Sequence, residues 1–492
     1  MSNNNFKEKF IIKFKQNWIR NNTMTILLIA ILVTAFIGLN LWVQNIDLAQ
    51  IDVTENKIYS LTDTSKEILK NIDKDVKIYT WQYAENSSLV DLIKQYCHEN
   101  EKIKYEILTE ESNKSKVEEF GLEAGYQIVV IEVGKNKTIL DGNSDFASYD
   151  YTTGQEIDLT EQAISNAILN LTVDEKPKVY MLSGHGEYKI QELGLLTTYL
   201  NNEAYEYESL NLLSVNQIPE ECDILLIMSP TSDLLETEVN IITEYINKGG
   251  NIILTRDTED TGKQYPNFQK ILDLYGVSVE NGYVYETNTN LTIADYPVII
   301  MPIISQYNKI TKSIYSDGGF LVLPYAQKVK TSDYEIATSL GVQYETIINS
   351  SENSYYVTDV SANAESATDG AEKGSVDIAV VATKTIAKEN ETEEDVKSKL
   401  LVIGNGRFIT DYTITSASYP LSYLGNNRDF MLNGIASLTG REDSLTIRKQ
   451  MNSSTYTPTE EQDKIVKLLI FGLPILIIIA GIIVSQRRKK KR

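Results

Sequence analysis

The chain has 492 residues and a formal net charge of −22, with 46 Lys plus Arg against 68 Asp plus Glu. Such an acidic surface repels nucleic acid and anionic lipid headgroups, so the sequence predicts neither as a binding partner. With only two cysteines, Cys97 and Cys222, the chain is not a disulfide scaffold, and its core must form by hydrophobic burial. Their spacing leaves open whether the two thiols pair.

Two apolar segments bracket the sequence and predict transmembrane helices at 23–43 and 468–485. The first segment is long enough to cross a hydrocarbon layer of roughly 30 Å at about 1.5 Å rise per residue. The second is shorter and contains Pro474, which membrane helices tolerate. Basic tails at 1–22 and 486–492 predict that both termini are cytoplasmic and that the bulk of the chain is extracytoplasmic.

A cleaved signal peptide is the alternative interpretation of the first apolar segment, because a basic region precedes it. Signal peptides usually have an apolar region of about 7 to 15 residues followed by a small-x-small cleavage site. This segment is longer, and no such site follows Gly38. The sequence therefore favours a plasma-membrane protein with two membrane passes.

Residues 44–153 are predicted to form a first α/β subdomain. Thr62 or Asp63 is the expected N-cap of a helix that ends near Ile72. Further helices are predicted at 88–99 and 114–120, between the strands VKIYTW, IKYEIL and QIVVIEV, with KNKTIL as a hairpin partner. Strands that alternate with helices predict a largely parallel sheet.

Residues 154–449 are predicted to form a second subdomain that begins with a helix at 154–171. The strands KVYML, YEYESL, DILLIM and NIILTRD alternate with helices at 191–201 and 236–247, and Gly249 and Gly250 mark the end of the latter. This pattern predicts a doubly wound fold of the Rossmann-like or amidotransferase-like kind.

An insertion is predicted at about 257–400, where short apolar runs such as YPVIIMPII and GGFLVLP replace the regular alternation. Its topology stays open. Polar, acidic loops are expected at 358–375 and 387–399, on either side of the strand VDIAVVATKT. A strand and turn, LLVIGNGRFI, a helix at 428–439 and a linker at 450–467 complete the chain.

The turn Gly184, His185, Gly186 and Glu187 directly follows the strand KVYML. Ligands of open α/β sheets bind beyond the carboxyl ends of strands, and glycines allow a close backbone approach, so these four residues are the candidate ligand or partner contact. The alternative is structural: the glycines satisfy the turn while His185 and Glu187 cap a helix and tie neighbouring loops.

Other motifs give no catalytic or metal site. Cys222 opens a strand instead of following one, His98 lies on a predicted surface helix, and no G-x-S-x-G or P-loop sequence occurs. Two histidines and two scattered cysteines do not suggest zinc, so no cofactor is expected. The run 404–408 with Asp411 is best explained as a turn carrying an Arg–Asp pair, since a lone G-x-G is weak evidence for a phosphate site.

Several segments, in this order, resemble the GldG family: IDVTENKIYSLTDTSKEILKNIDKDVKIYTW, VYMLSGHGE, IGNGRFITDY and NNRDFMLNGIASLTGREDSLTIRKQ, followed by a closing apolar segment with a basic tail. That family comprises auxiliary membrane components of ABC-type transport systems and is named for gliding motility, although it is not confined to gliding cells. The segment between about 257 and 400 carries no part of the resemblance.

The resemblance implies a non-enzymatic subunit that accompanies an ABC permease and a separate ATPase. Residues 184–187 match only the family's recognisable turn, and Asn433 and Arg441 match only part of its late segment. The resemblance assigns no catalytic role to any of them. Two other functions stay open: a stand-alone extracytoplasmic ligand-binding or sensory membrane protein, and an envelope hydrolase or amidotransferase-like enzyme that would use His185 and Glu187.

Overall fold

The computed structural model describes residues 61–441 with six gaps, at 112, 151–154, 259–262, 361–366, 388–394 and 415–419, and the single residues 34, 38 and 464. Apart from those three residues, the predicted tails, membrane spans and linker lie outside the described ranges. No helix within the described ranges is both long and apolar enough to cross a membrane. The described ranges between 61 and 441 all belong to one compact unit.

The first subdomain has three helices around a four-stranded sheet. Its helices are α1 (Asp63–Lys70), α2 (Ser88–Glu99) and α3 (Lys114–Phe120), and its strands are β1 (Val76–Trp81), β2 (Ile103–Leu108), β3 (Ile128–Val133) and β4 (Asn136–Asp141). The strand order is β2-β1-β3-β4. Only β1 and β2 run parallel, whereas β3 is antiparallel to both β1 and β4. The expectation of a largely parallel sheet is therefore wrong here.

Local capping explains where these helices begin. The Thr62 hydroxyl accepts a hydrogen bond from the Ser65 N–H, and the Ser87 hydroxyl accepts one from the Val90 N–H, as N-cap side chains do. The helices bury one apolar face each, so Leu69 of α1 and Ile93 of α2 pack with Ile78 of β1 in one core.

Helix α4 (Thr160–Thr172) joins the two subdomains. It starts six residues later than predicted, because strand β6 (Gln155–Asp158) pairs with β5 (Ala147–Asp150) as an antiparallel hairpin. The backbone at 155–158 is thereby committed to a strand ladder and cannot form the helical hydrogen bonds that the apolar periodicity suggested.

The second subdomain is built on one eight-stranded sheet with the order β15-β18-β21-β22-β10-β9-β7-β8. These strands are β7 (Lys178–Leu182), β8 (Glu206–Leu210), β9 (Cys222–Met228), β10 (Ile252–Thr255), β15 (Ile303–Ile304), β18 (Val342–Asn349), β21 (Asp377–Ile386) and β22 (Val396–Ile403). From β8 to β22 neighbouring strands are parallel, and from β22 to β15 they are antiparallel. The doubly wound prediction thus holds for half of the sheet.

Helices cover both faces of this sheet. They are α5 (Gly194–Asn202), α6 (Glu236–Asn247), α7 (Pro266–Asp273), α8 (Lys309–Ser316), α9 (Tyr334–Leu340) and α10 (Asn427–Leu438). Side chains alternate along the central strands, so Val179 of β7 packs in a core with Leu196 of α5, while Tyr180 packs in a second core with Ile242 of α6. Burial on both faces accounts for the continuous apolar runs in these strands.

The predicted insertion contributes to the main sheet instead of standing apart from it. Strands β18 and β21 both come from it and pair with each other over most of their length. The loop expected at 387–399 ends early, because Val396–Lys399 already belong to β22. The remaining strands form three small antiparallel sheets: β11 (Val277–Val279) with β17 (Val329–Thr331); β12 (Tyr283–Glu286), β19 (Ser354–Val357) and β20 (Glu372–Lys373); and β13 (Thr292–Ile293), β14 (Tyr296–Ile300) and β16 (Leu323–Pro324).

Candidate functional site

The candidate site lies at the carboxyl edge of the parallel strands. The chain passes from β7 outward to β8 and then returns to β9 on the other side of β7, so the topological switch point falls between β7 and β9. The turn at 183–187 follows β7, and residues 229–231 follow β9. Ligands of open α/β sheets bind beside such a point, so the sequence placed the turn at the right edge of the sheet.

His185 lies buried between two carboxylates. Its Nδ1 is 3.1 Å from Glu187 Oε1, and its Nε2 is 2.9 Å from Glu238 Oε2. All three residues are at least 94% buried, and the Phe268 ring of α7 packs nearly perpendicular to the imidazole, with ring centroids 6.0 Å apart. Both ring nitrogens are therefore occupied by groups of the chain itself.

The electrostatics of this trio favour a charged imidazole. Hydrogen bonding to Glu187, assisted by Glu238, raises the pKa of His185 against the opposing effect of burial. Glu238 sits in the first turn of α6, where its Oε2 also accepts the Leu235 N–H at 2.8 Å. The positive end of the helix dipole stabilises a carboxylate at that position. Its second oxygen, Oε1, is buried and has no hydrogen-bond partner among the residues that the structure describes.

Backbone bonds tie the turn to the loop after β9. The His185 carbonyl accepts the Thr231 N–H at 2.8 Å and the Ser232 N–H at 2.9 Å, and the Glu187 carboxylate accepts the His185 N–H at 2.7 Å. Gly186 has a φ of +75°, and a Cβ at this position would overlap the Thr231 hydroxyl. The glycine is therefore required by the close approach of these two loops.

A second polar cluster lies at the same edge, around Asp257 after β10. Its Oδ1 accepts the backbone N–H groups of Gly406 at 2.7 Å and of Arg407 at 3.2 Å, and its Oδ2 accepts the Tyr188 hydroxyl at 2.7 Å. Burial, together with the Asp257 charge, raises the pKa of Tyr188. Asp257 thus fills the anion-binding position that the turn at 404–407 offers.

The G-x-G sequence at 404–406 serves packing. A Cβ at Gly406 would overlap the hydroxyls of Ser229 and Thr255, which are themselves 3.0 Å apart. The Arg–Asp pair expected in this turn is not formed by the described side chains of Arg407 and Asp411. Asp411 instead caps α5, accepting the N–H groups of Gly194 at 2.9 Å and Leu195 at 3.3 Å.

Three residues of the segment NNRDFMLNGIASLTGREDSLTIRKQ, namely Asn427, Asn433 and Arg441, make structural contacts. The Asn433 amide donates to the Ile310 carbonyl at 2.8 Å, which fixes α10 against α8. Arg441 donates to the Glu203 carbonyl at 3.1 Å and lies 4.8 Å from the Tyr205 ring centre. The side chain of Asn427 bonds the backbones of Val322, Phe408 and Leu421, so this segment holds several loops together.

The two thiols do not pair with each other. Cys97 and Cys222 are both free. Cys222 begins β9, at the opposite edge from His185, and burial raises the pKa of its thiol to about 11. It lies with Tyr245 in the lining of a cavity of about 390 Å³ at that opposite edge. Within the described ranges, no group of three or more His, Cys, Asp and Glu side chains could hold a metal ion.

Sequence reasoning did not identify three residues at the site: Tyr188, Glu238 and Asp257. A partial signal existed for two of them, because Glu238 stands at the third position of a helix, where capping boxes place Glu, and Asp257 follows a buried strand. Nothing in the sequence linked Glu238 to His185, which lies 53 residues away.

Fold and site together define an α/β domain in which side chains of the chain itself occupy the polar positions at the carboxyl edge of the parallel strands. The chain belongs to the family described as an ABC-type uncharacterized transport system, whose model matches residues 176–434, more than half of the chain. Its members are auxiliary components of ABC transport, so an accessory role in such a system follows. A second family model, a domain of unknown function, matches residues 55–141. No curated protein matches the chain.

Three solved structures have partial likeness to the fold. The mmIFT52 N-terminal domain is 14% identical, with 53% of this chain and 97% of that chain covered and a TM-score of 0.36. A ThuA-like protein from Parabacteroides merdae is 10% identical, with coverages of 58% and 96% and a TM-score of 0.28. A glutamine amidotransferase from Thermotoga maritima is 11% identical, with coverages of 60% and 95% and a TM-score of 0.25.

Proposed function

We propose that the chain is a non-enzymatic, membrane-anchored subunit of an ABC transporter, of the GldG type, that accompanies a permease and a separate ATPase. The observation that carries this proposal is the family match over residues 176–434. In this proposal the α/β domain contacts substrate, envelope or partner subunits outside the cytoplasm, and the apolar segments at 23–43 and 468–485 dock against the permease.

The state of the candidate site supports the non-enzymatic part of the proposal. A general base needs a free lone pair within reach of a substrate proton, and both His185 ring nitrogens already face carboxylates. A nucleophile needs an adjacent base, and Cys222 lies at the other edge of the sheet with a raised thiol pKa. The turn at 184–187 therefore suits a structural or partner-binding role better than hydrolysis.

Copurification tests the subunit assignment. We expect a tagged full-length chain, extracted from membranes with a mild detergent, to bring down a multispan permease and an ATPase with a P-loop, both identified by mass spectrometry. Recovery of the chain without either subunit would contradict the proposal and favour a stand-alone binding or sensory protein.

Cysteine labelling tests the proposed topology. In a background with Cys97→Ser, single cysteines at Ser2→Cys and Gln486→Cys should resist a membrane-impermeant maleimide in whole cells, whereas Asn202→Cys, exposed on α5, should react. The buried thiol of Cys222 gives a low background. Labelling of either tail from outside would overturn the two-pass arrangement.

A further inference from the structure

The eight-stranded sheet ends in an edge that is only partly covered. The edge strand β15 has two residues and pairs with Ile348 and Asn349 at the end of β18. One further backbone hydrogen bond extends the pairing with β18, from the Ser305 N–H to the Ile347 carbonyl at 3.0 Å. The first five residues of β18, Val342 to Thr346, extend beyond it.

The register shows which backbone groups of β18 point outward. The Thr385 N–H donates to the Gly341 carbonyl at 2.8 Å, so residues 341 and 385 form a hydrogen-bonded pair of the antiparallel ladder with β21. Alternation then directs the backbone groups of residues 343 and 345 toward β21 and those of Val342, Tyr344 and Thr346 away from it. Among the described residues nothing bonds to these outward groups.

Two exposed aromatic side chains lie in the chain segments next to β18. Tyr307 and Tyr334, 85% and 84% exposed, are the two most exposed large hydrophobic residues of the described part. Tyr307 precedes Asn308, whose amide donates to Glu345 of β18 at 2.6 Å. Tyr334 opens α9, which leads through Gly341 into β18 and packs against it. An open strand edge between exposed aromatics is the arrangement that binds extended peptides.

The charge of the edge selects the kind of peptide. Residues 331–349 contain Asp333, Glu335 and Glu345 and no Lys or Arg, and residues 303–308 contain no charged side chain, with Lys309 as the first base after them. Basic side chains on an added strand would meet these carboxylates and could stack on the two exposed tyrosine rings.

We propose that the outer edge of β18 is a docking site for an extended, basic protein segment, which adds as a further strand to the eight-stranded sheet. The open stretch of five residues accommodates a segment of roughly 17 Å. Main-chain hydrogen bonds to Val342, Tyr344 and Thr346 provide the affinity, and the surrounding carboxylates and tyrosines select the sequence.

A labelled peptide of alternating Lys and Val, KVKVKVK, tests the proposal by fluorescence anisotropy on the full-length chain in detergent. Two further peptides are matched controls: KVKPKVK keeps the charge but cannot continue a ladder, and EVEVEVE reverses the charge. We expect each control to bind at least tenfold more weakly than KVKVKVK. Equal binding of KVKVKVK and KVKPKVK would show simple charge attraction and overturn the proposal.

Variants of the chain locate the binding. Thr346→Pro removes one outward N–H and leaves the bonds to β21 intact, whereas Thr346→Val keeps that N–H, so a tenfold or greater loss is expected for the proline variant alone. The double variant Tyr307→Ser/Tyr334→Ser removes exposed rings only and should weaken binding without lowering the melting temperature. Unchanged peptide affinity in Thr346→Pro and in the double variant would place the peptide elsewhere.

Hydrogen exchange and light scattering complete the test. KVKVKVK should slow exchange of the Val342, Tyr344 and Thr346 amides, which bond to no described residue in the free chain, while those of Gln343 and Glu345 are already protected by β21. If the wild-type chain is dimeric and Thr346→Pro makes it monomeric, a second copy occupies the edge and the proposed basic partner is excluded. Neither outcome bears on copurification with permease and ATPase, which tests the proposed function separately.

Discussion

His185 has a charge that depends on pH and that two buried carboxylates stabilise. Bonding to Glu187 and Glu238 favours the imidazolium form, which joins the turn after β7 to the first turn of α6. Loss of the proton leaves the two carboxylates facing a neutral ring in a site almost without solvent. The stability of this edge of the sheet is therefore linked to proton binding.

The direction of this linkage follows from the raised pKa of His185. The stabilisation is fully present below the unfolded-state pKa of about 6.5 and is lost as the pH rises through the higher folded-state value. We predict that the free energy of unfolding, measured with urea between pH 6 and pH 9, falls with rising pH in the wild type more steeply than in His185→Gln.

The second histidine of the chain provides the control for that experiment. His98 is exposed on α2, so His98→Gln should keep the wild-type pH profile. At pH 6 His185→Gln should cost about 3–5 kcal/mol, because it removes the charge that pairs two buried carboxylates. A flat wild-type profile, or equal profiles for the wild type and His185→Gln, would refute the linkage.

At the scale of elements, Lys384 of β21 joins two helix ends. Its ammonium group donates to the Leu274 carbonyl at 3.0 Å and to the Leu340 carbonyl at 2.9 Å, at the C-termini of α7 and α9. A cation at a helix C-terminus interacts favourably with the helix dipole, and this one serves two helices together. Partial burial lowers the pKa of Lys384.

We predict that Lys384→Met destabilises the chain by about 1–3 kcal/mol, since it leaves two carbonyls without their donor while keeping most of the side-chain volume. Hydrogen exchange should show the loss as faster opening of the last turns of α7 and α9. Lys330→Met is the matched control, because Lys330 is 51% exposed and pairs with Glu280 at the surface, so its removal should cost at most about 1 kcal/mol. Equal effects of the two substitutions would rule out the helix-end role.

The helices were predicted better than the sheets, because helix ends carry local signals. Helices α2 and α6 have the predicted bounds, marked by the Ser87 hydroxyl and by the glycines that follow Lys248. Strand direction depends on distant partners: nothing near β3 indicated that it would run antiparallel to β1. Strand β18 was missed for the same reason, since its ladder with β21 joins residues that are 28 to 42 positions apart, from Asn349–Asp377 to Val342–Lys384.

In the candidate site too, local features were predicted from the sequence and contacts between distant residues were not. The position of the turn at 184–187 followed from the preceding strand and from two glycines, which are local features. The partners of His185 and the cap that Asp411 provides for α5 arise only from the folded chain, and Asp411 lies 217 residues from Gly194. The ligand or partner contact assigned to residues 184–187 stays a prediction.

At the scale of the whole molecule, helix α4 contacts both subdomains through apolar and polar side chains. Leu169 of α4 packs with Ile68 of α1 on one side and with Ala204, after α5, on the other. The neighbouring Asn170 amide donates to the carbonyls of Asn201 and Asn202 at 3.0 Å and 2.8 Å, which lie at the end of α5. One turn of α4 therefore supports both sides of the junction.

If this turn of α4 carries the coupling between the subdomains, two substitutions in it should uncouple them. Leu169→Ala removes about 2 kcal/mol or more of apolar packing, and Asn170→Ala leaves two carbonyls without a donor at about 1 kcal/mol each. We predict that urea unfolding, monitored by hydrogen exchange in α2 and α6, shows coincident transitions in the wild type and separate ones in the double variant. Gln162→Ala, on the same helix but away from this turn, should leave the transitions coincident. Coincident transitions in the double variant would mean that contacts outside this turn of α4 couple the subdomains.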